Sequence, residues 1–393
     1  MANEGKVMKF SDKEFERRYG KIREGMQLRD IDCLVVTGND SDWGGNAADL
    51  VYLLGHSEML KGYVVFPLEG DAIYLVGGDA SETSQLPMQM VPFKKGKGEG
   101  RRIRDWAAGI AARIKELGLE KGRIGIADMR VTPAGVYMEL LEHLPQAKFV
   151  PAGDVILECR RIKSAEELEF VRKATECVDK GFEAIFKIAR PGVTELEIVN
   201  AVETAMIGAG ARRGNFIMLS SASWDERTGT QGVKGRPERK LQKGDIILNE
   251  LSPNYAGYSV QQCIPISIGI AEKDMPKSFK EIFKLHKEMY KLTCDELRPG
   301  ITVIALEHKI QKLTSSRGRF SRAWTLQITE QAEAHFRTDY MEIKSGMVWV
   351  NHPWTEVPQG ERGHRGHIFG NTLIVTEGAP EVTSRLSLDL VVI

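Results

Sequence analysis

The chain lacks an excess of charge of either sign: 54 Lys and Arg stand against 54 Asp and Glu. That balance removes the field by which a protein recognises nucleic acid or an anionic membrane surface, and neither is expected as a partner. No apolar run approaches the ~20 residues needed to span a bilayer. The opening stretch MANEGKVMKFSDKEFERR is too polar for a secretory leader, so a cytoplasmic protein is expected. Cysteine is scarce. Five residues, Cys33, Cys159, Cys177, Cys263 and Cys294, are scattered, odd in number and without Cys-x-x-Cys spacing. This excludes a disulfide framework and reads as reduced, mostly buried thiols, a catalytic thiol being the minor alternative. Gly-x-Gly-x-x-Gly and phosphate-loop patterns are also missing, so nothing points to nucleotide chemistry.

What remains is enough chain, 393 residues, for two domains. In the first, helical spacing over Asp12 to about Gln27 follows a cap at Ser11 or Asp12, with Phe15, Ile22 and Met26 on the apolar face. Strands are expected at 33–38, 63–67, 72–78 and 123–128, and helices over Arg101 to Leu117 and Pro133 to Leu144, the latter opened by a Thr132 cap and Pro133. Strands interleaved with helices make an α/β domain, taken as 1–160. Trp43, in the turn 42–45, is either a recognition residue or a loop anchor.

Arg160 to Leu168 marks a joint: charge gathers, and Ser164 with Glu167 three residues later forms a capping box. Beyond it, over 161–393, lies a faint repeat. Ala189-Arg190-Pro191-Gly192-Val193-Thr194 recurs as Leu297-Arg298-Pro299-Gly300-Ile301-Thr302. In both, glycine ends one helix and threonine caps the next. Two such units predict an α+β domain with internal pseudo-two-fold symmetry and a site where the halves meet.

The stretch from Lys243 to Gly269 holds the chemistry. An apolar run, Ile246-Ile247-Leu248, ends at Glu250, where a carboxylate is costly unless paired, hydrogen-bonded or protonated. Pro253, Asn254 and Gly257 mark a hairpin turn, and a second strand runs from about Tyr258 to Ile268, interrupted by Gln261 and Gln262.

With Leu-x-[Asp/Glu] leading to Tyr255-Ala256-Gly257-Tyr258, this stretch resembles the pita-bread hydrolases: methionine aminopeptidase, aminopeptidase P, prolidase and creatinase. The Arg-x-Ile-Lys-Ser-x-Glu-Glu joint resembles the one between their two domains, and Tyr52-Leu53-Leu54-Gly55-His56 resembles a stretch of their amino-terminal domain. The resemblance implies a duplicated fold, a homodimer and, in metal-dependent members, two Asp, one His and two Glu around a dinuclear metal. Here those positions fall on Glu250 and Gln261, on Leu326–Glu330 (which has no histidine), on His352, and on Gly370. His335 aligns with a second, non-ligand histidine. An amide and a glycine cannot replace anionic ligands of a hard divalent cation, so no metal and no other cofactor is expected.

The resemblance is then nearest to creatinase and ectoine hydrolase, which hydrolyse small nitrogen-rich molecules without metal. Glu250 is expected as base or nucleophile and His352 as acid. Substrate contacts are expected from Lys234, Tyr258, Gln261, His335, His367, Asn371 and His56. Lys234 would hold a substrate carboxylate, and the glycine-rich loop from Gly360 to His367 is either a loop that closes over an anionic group or an exposed charged turn. The substrate class is a small polar molecule with an amide or amidine. The alternatives are a non-catalytic binding protein of the same fold, a metal-dependent Xaa-Pro dipeptidase or aminopeptidase, and a small-substrate lyase.

Overall fold

The computed structural model describes residues 8–38, 48–55, 62–76, 89–92, 106–212, 215–223, 238–316, 322–328, 341–356, 365–366 and 368–393. The chain forms two compact units, Met8–Arg161 and Ile162–Ile393.

The first unit is a mixed sheet with helices. In chain order it contains α1 (Asp12–Gln27), β1 (Cys33–Thr37), α2 (Ala48–Leu54), β2 (Gly62–Pro67), β3 (Ile73–Val76), β4 (Gln89–Pro92), α3 (Trp106–Glu116), β5 (Arg123–Ile126), α4 (Ala134–His143), β6 (Lys148–Pro151) and α5 (Gly153–Arg161). The strand order is β4-β3-β2-β1-β5-β6. β1 runs antiparallel to β2 and parallel to β5. Alternate residues of the central strands, Cys33, Val35, Tyr63 and Val65, pack with Ala107, Ile110 and Ile114 of α3. This is the burial expected when side chains alternate across a sheet and a helix lays one stripe on it. Ser11 caps α1 by accepting from the Glu14 N–H at 3.2 Å. The cap expected at Thr132 does not form. Pro133 occupies the cap position without a side-chain bond, because the Thr132 hydroxyl donates back to the Asp128 carbonyl at 2.8 Å.

The second unit is built twice over. Its first half holds α6 (Ala165–Ile188), α7 (Glu195–Gly208), β7 (Phe216–Ser223) and β8 (Asp245–Ser252), followed by the short strands β9 (Asn254–Tyr255), β10 (Tyr258–Ser259) and β11 (Ile266–Ser267). Its second half holds α8 (Lys277–Glu296), α9 (Val303–Ser315), β12 (Arg322–Ile328) and β13 (Val348–Glu356), followed by β14 (Arg365–Gly366), β15 (Asn371–Ile374), β16 (Glu381–Val382) and β17 (Val391–Val392). β7 pairs antiparallel with β8, as β12 does with β13.

The repeated hexapeptides are the hinges of this duplication. Gly192 and Gly300 take positive φ values of 95° and 92°, open to glycine and strained for other residues. The Gly192 N–H reaches the Leu241 carbonyl at 2.8 Å, and the Gly300 N–H reaches the Ile343 carbonyl at 3.0 Å. In return, Leu241 and Ile343 donate to the carbonyls of Val193 and Ile301, both at 2.8 Å. Each helix pair is thus tied by the same clasp to the segment that leads into β8 or β13. Thr194 and Thr302 cap the helices that follow, as their spacing predicts.

The unit has two main sheets, β12-β13-β15-β16 of the second half, with β14 alongside β13, and β17-β11-β8-β7, in which the last strand of the chain joins the strands of the first half. Between them, Cys263 and Gly370 exchange both backbone bonds, at 2.8 and 3.2 Å. The seam between the halves therefore runs through residue 370 and the end of the hairpin.

Candidate active site

Glu250 lies on β8 opposite Met218 of β7. Its strand neighbours on the same face, Ile246 and Leu248, are buried against Phe283, Ile368 and Phe369, so alternation leaves Glu250 at the rim of that core. The Gln261 amide nitrogen donates to Glu250 Oε2 at 2.9 Å, an uncharged partner for a half-buried carboxylate. Gln261 is anchored in turn by its backbone. Its N–H donates to Thr372 Oγ1 at 3.0 Å, and that hydroxyl lies 3.2 Å from the Gln261 carbonyl.

These bonds explain why the expected second strand, Tyr258 to Ile268, breaks into pieces. After the turn at Ala256 and Gly257, both with positive φ (50° and 92°) as a two-residue hairpin favours, only Tyr258–Ser259 and Ile266–Ser267 are regular strand. Between them, the Asn249 side chain replaces a ladder rung: it donates to the Ile264 carbonyl at 2.7 Å and accepts from the Ile264 N–H at 3.1 Å. Of the two glutamines that interrupt the strand pattern, Gln261 pairs outside the ladder, while Gln262 exchanges both backbone bonds with Leu251 at 3.0 Å.

His352 stands on β13, 3 % exposed, with Nε2 3.3 Å from the Cys263 thiol. Cys263 is fully buried. Burial first, then the nearby Glu250 charge, hold its thiol well above the ordinary range, so it keeps its proton. Cys263 therefore touches His352 directly and feels the charge of Glu250. The sequence shows it only as one of five buried thiols, although it stands two residues beyond Gln261.

Asn371 faces elsewhere. It pairs directly with Asn351 across β13 and β15. The Tyr290 hydroxyl of α8 donates to Asn371 Oδ1 at 2.8 Å, and the Asn351 amide reaches the Tyr290 carbonyl at 3.2 Å. Both asparagines thus point toward α8, while His352, one position along, points the other way. The Asn371 side chain, expected as a substrate contact, takes part in a strand-to-helix tie. Tyr258, also expected as a substrate contact, donates its hydroxyl to Glu167 Oε1 at 2.8 Å and packs its ring on Phe170. Glu167 is the capping-box residue of α6, and its other oxygen accepts from the Ser164 N–H at 2.9 Å. His56, Lys234, His335 and His367 lie outside the described residues, as do Trp43 and most of the loop from Gly360 to His367.

Gly370 stands where the resemblance puts the last metal-binding glutamate. A Cβ there would lie 2.0 Å from His352 Cδ2 and 2.6 Å from the Asn351 carbonyl oxygen. The imidazole fills the space a side chain at 370 would need. With an amide at 261 and no room for a carboxylate at 370, this donor set does not fit a pair of hard divalent cations. Among the described residues no group of three or more His, Cys, Asp or Glu side chains is placed to hold a metal ion.

A duplicated α+β unit, with helix pairs clasped to two sheets and a carboxylate and an imidazole beside their seam, defines a pita-bread protein. The comparisons give the family. The model for metallopeptidase family M24 matches residues 169–377, and the creatinase/prolidase N-terminal domain matches 18–162. The chain belongs to metallopeptidase family M24 and is a hydrolase of the creatinase and aminopeptidase P-like kind. It is 25% identical to the Xaa-Pro dipeptidase of Pyrococcus horikoshii over 76% of each chain. It is 22% identical to the creatinase of a Bacillus species, over 97% of this chain and 93% of that one. Among solved structures, the Xaa-Pro dipeptidase from Bacillus anthracis superposes with a TM-score of 0.76 at 20% identity, covering 96% of this chain and 100% of that one. No helix among the described residues is long and apolar enough to cross a membrane.

Proposed function

We propose that the protein hydrolyses a carbon–nitrogen bond, amide or amidine, in a small polar metabolite without using a metal. Glu250 serves as base or nucleophile and His352 as acid. As base, Glu250 takes a proton from water while the water oxygen bonds to the electrophilic carbon. His352 gives a proton to the departing nitrogen as the C–N bond breaks, and water restores both groups. As nucleophile, Glu250 forms an acyl or amidinyl ester that water then cleaves.

The observation that carries this reading is the donor set. A glutamine amide faces Glu250 where a second carboxylate would complete a metal bridge, and the His352 ring stands where a side chain at 370 would be. The relative named creatinase, matched along almost the whole chain, favours the same chemistry. The relatives named Xaa-Pro dipeptidase favour the competing reading, a metal-dependent peptidase. In the proposed reading the enzyme is cytoplasmic, in keeping with its scattered reduced thiols, and a homodimer, as the family resemblance implies.

The test is elemental analysis of the purified protein, alongside creatine, ectoine and Xaa-Pro dipeptides assayed with and without chelator. Substoichiometric metal and chelator-resistant turnover that is lost in Glu250→Gln are the expected results. Two equivalents of metal per chain with chelator-sensitive dipeptide cleavage would establish the peptidase instead.

A further inference from the structure

We infer that Gly370 and Cys263 are positioning residues for His352: the absent side chain at 370 is the space in which the imidazole stands, and the Cys263 thiol holds its Nε2. The inference deepens the proposed function and rests on its assignment of His352 as the acid.

Glycine at 370 is not required by a positive φ. Gly192, Gly300 and Gly346 take positive φ values, whereas Gly370 does not. What is special there is room. The built Cβ would fall 2.0 Å from His352 Cδ2 and 2.9 Å from Nε2, far inside the ~3.5–4.0 Å at which carbon atoms rest against each other. The ring has little freedom to retreat, being 3 % exposed and on a strand hydrogen-bonded on both sides.

Cys263 stands beside the gap, its thiol at the same Nε2 edge of the ring. It is directly paired with Gly370 through both backbone bonds, so the thiol and the gap at 370 are fixed relative to each other. A protonated thiol 3.3 Å from Nε2 can donate weakly to the imidazole lone pair, and in that arrangement the neutral ring carries its proton on Nδ1. The pairing gives one local device: the gap admits the ring, and the thiol selects its tautomer.

Two measurements test this, and neither needs a substrate. The first is a double-mutant cycle on Gly370→Ala and His352→Ala, read from the unfolding equilibrium. The overlap with the Asn351 carbonyl is common to both backgrounds and cancels, leaving the ring contact. Gly370→Ala is expected to raise the unfolding constant about tenfold more with His352 present than in His352→Ala. A difference under about twofold would overturn the packing half.

The second is the ¹⁵N spectrum of the His352 imidazole. Cys263→Ala is expected to shift the Nε2 resonance away from its wild-type position, and Cys263→Ser, which keeps a donor, to retain most of it. Identical spectra in all three proteins would overturn the thiol half. Should Gly370→Ala fail to fold in both backgrounds, the backbone overlap dominates and the Cys263 comparison decides alone. Turnover unaffected by His352 substitution would sink the acid assignment without altering the cycle, and a null cycle would sink this inference without altering turnover.

Discussion

Removing the Tyr258 hydroxyl separates the structural from the substrate-binding reading of that residue. In Tyr258→Phe the ring keeps its tilted contact with Phe170, 5.4 Å between centroids, so little buried area is lost. What goes is one hydrogen bond, 2.8 Å long, to Glu167 Oε1, with the tyrosine 8% and the glutamate 1% exposed. A buried bond to a carboxylate contributes roughly 1.5–3 kcal/mol. At roughly 2–4 °C per kcal/mol for a unit of this size, the thermal transition of the carboxy-terminal unit should fall by about 3–12 °C. Differential scanning calorimetry reads this, with Glu167→Gln and the double variant closing a cycle that shows coupling between the two side chains. Once a substrate is in hand, KM should stay at its wild-type value. An unchanged transition with a raised KM would refute the reasoning and return Tyr258 to the substrate.

Glu250→Gln leaves the protein folded, because an amide oxygen still accepts from Gln261, and lowers turnover by roughly a hundred- to ten-thousand-fold; unchanged turnover would remove Glu250 from the mechanism. Asp179 accepts from Ser384 at 2.6 Å, yet burial outweighs that bond and raises its carboxyl above the ordinary range. A raised acid binds its proton more tightly in the folded state, so stability rises as pH falls through the raised value. Asp179→Asn should therefore melt higher than wild type at neutral pH and lose that pH dependence, and a lower melting temperature at pH 7 would contradict the sign. Glu381 is held below its ordinary range chiefly by the hydrogen bonds of Arg172, at 2.8 and 2.7 Å. Its contribution is present above the unfolded value near pH ~4.3 and is lost as pH falls through the lowered folded one. Both side chains are 36% exposed, so the acid-side loss should be small and should shrink further in high salt. Urea titrations of Glu381→Gln and wild type across that range would reveal it as a converging pair of curves.

The elements with local causes are legible in the amino-acid sequence. Ser164 with Glu167, and Thr194 with Glu197, form capping boxes because both bonds of such a box lie within one turn. The hexapeptides at 189–194 and 297–302 announce the duplication because a positive-φ glycine and a capping threonine are local requirements. Glu250 stands out because a carboxylate at the end of an apolar run is costly to bury unpaired, whereas His352 is reached only through the resemblance of the run from Gly346 to Pro353. The Thr132 cap fails for an equally local reason, a competing carbonyl four residues back that the pattern does not rank.

The partners of those residues are not legible. Asn371 reads as a neighbour of the site along the chain, but a strand sends consecutive side chains to opposite faces, and the register with Asn351 turns it toward Tyr290. Tyr258 reads as part of a motif, but its hydroxyl meets a helix cap 91 positions away. Cys263 reads as one thiol among five until pairing with Gly370 brings it against His352. By itself the sequence determined several of the helices with their caps, the repeat and which residues bear charge, because these depend on spacing within a turn or a strand. Only tertiary structure decided which side chains meet at the seam between the halves. That outcome depends on strand register and on the space left at residue 370, quantities that no local window of the chain contains.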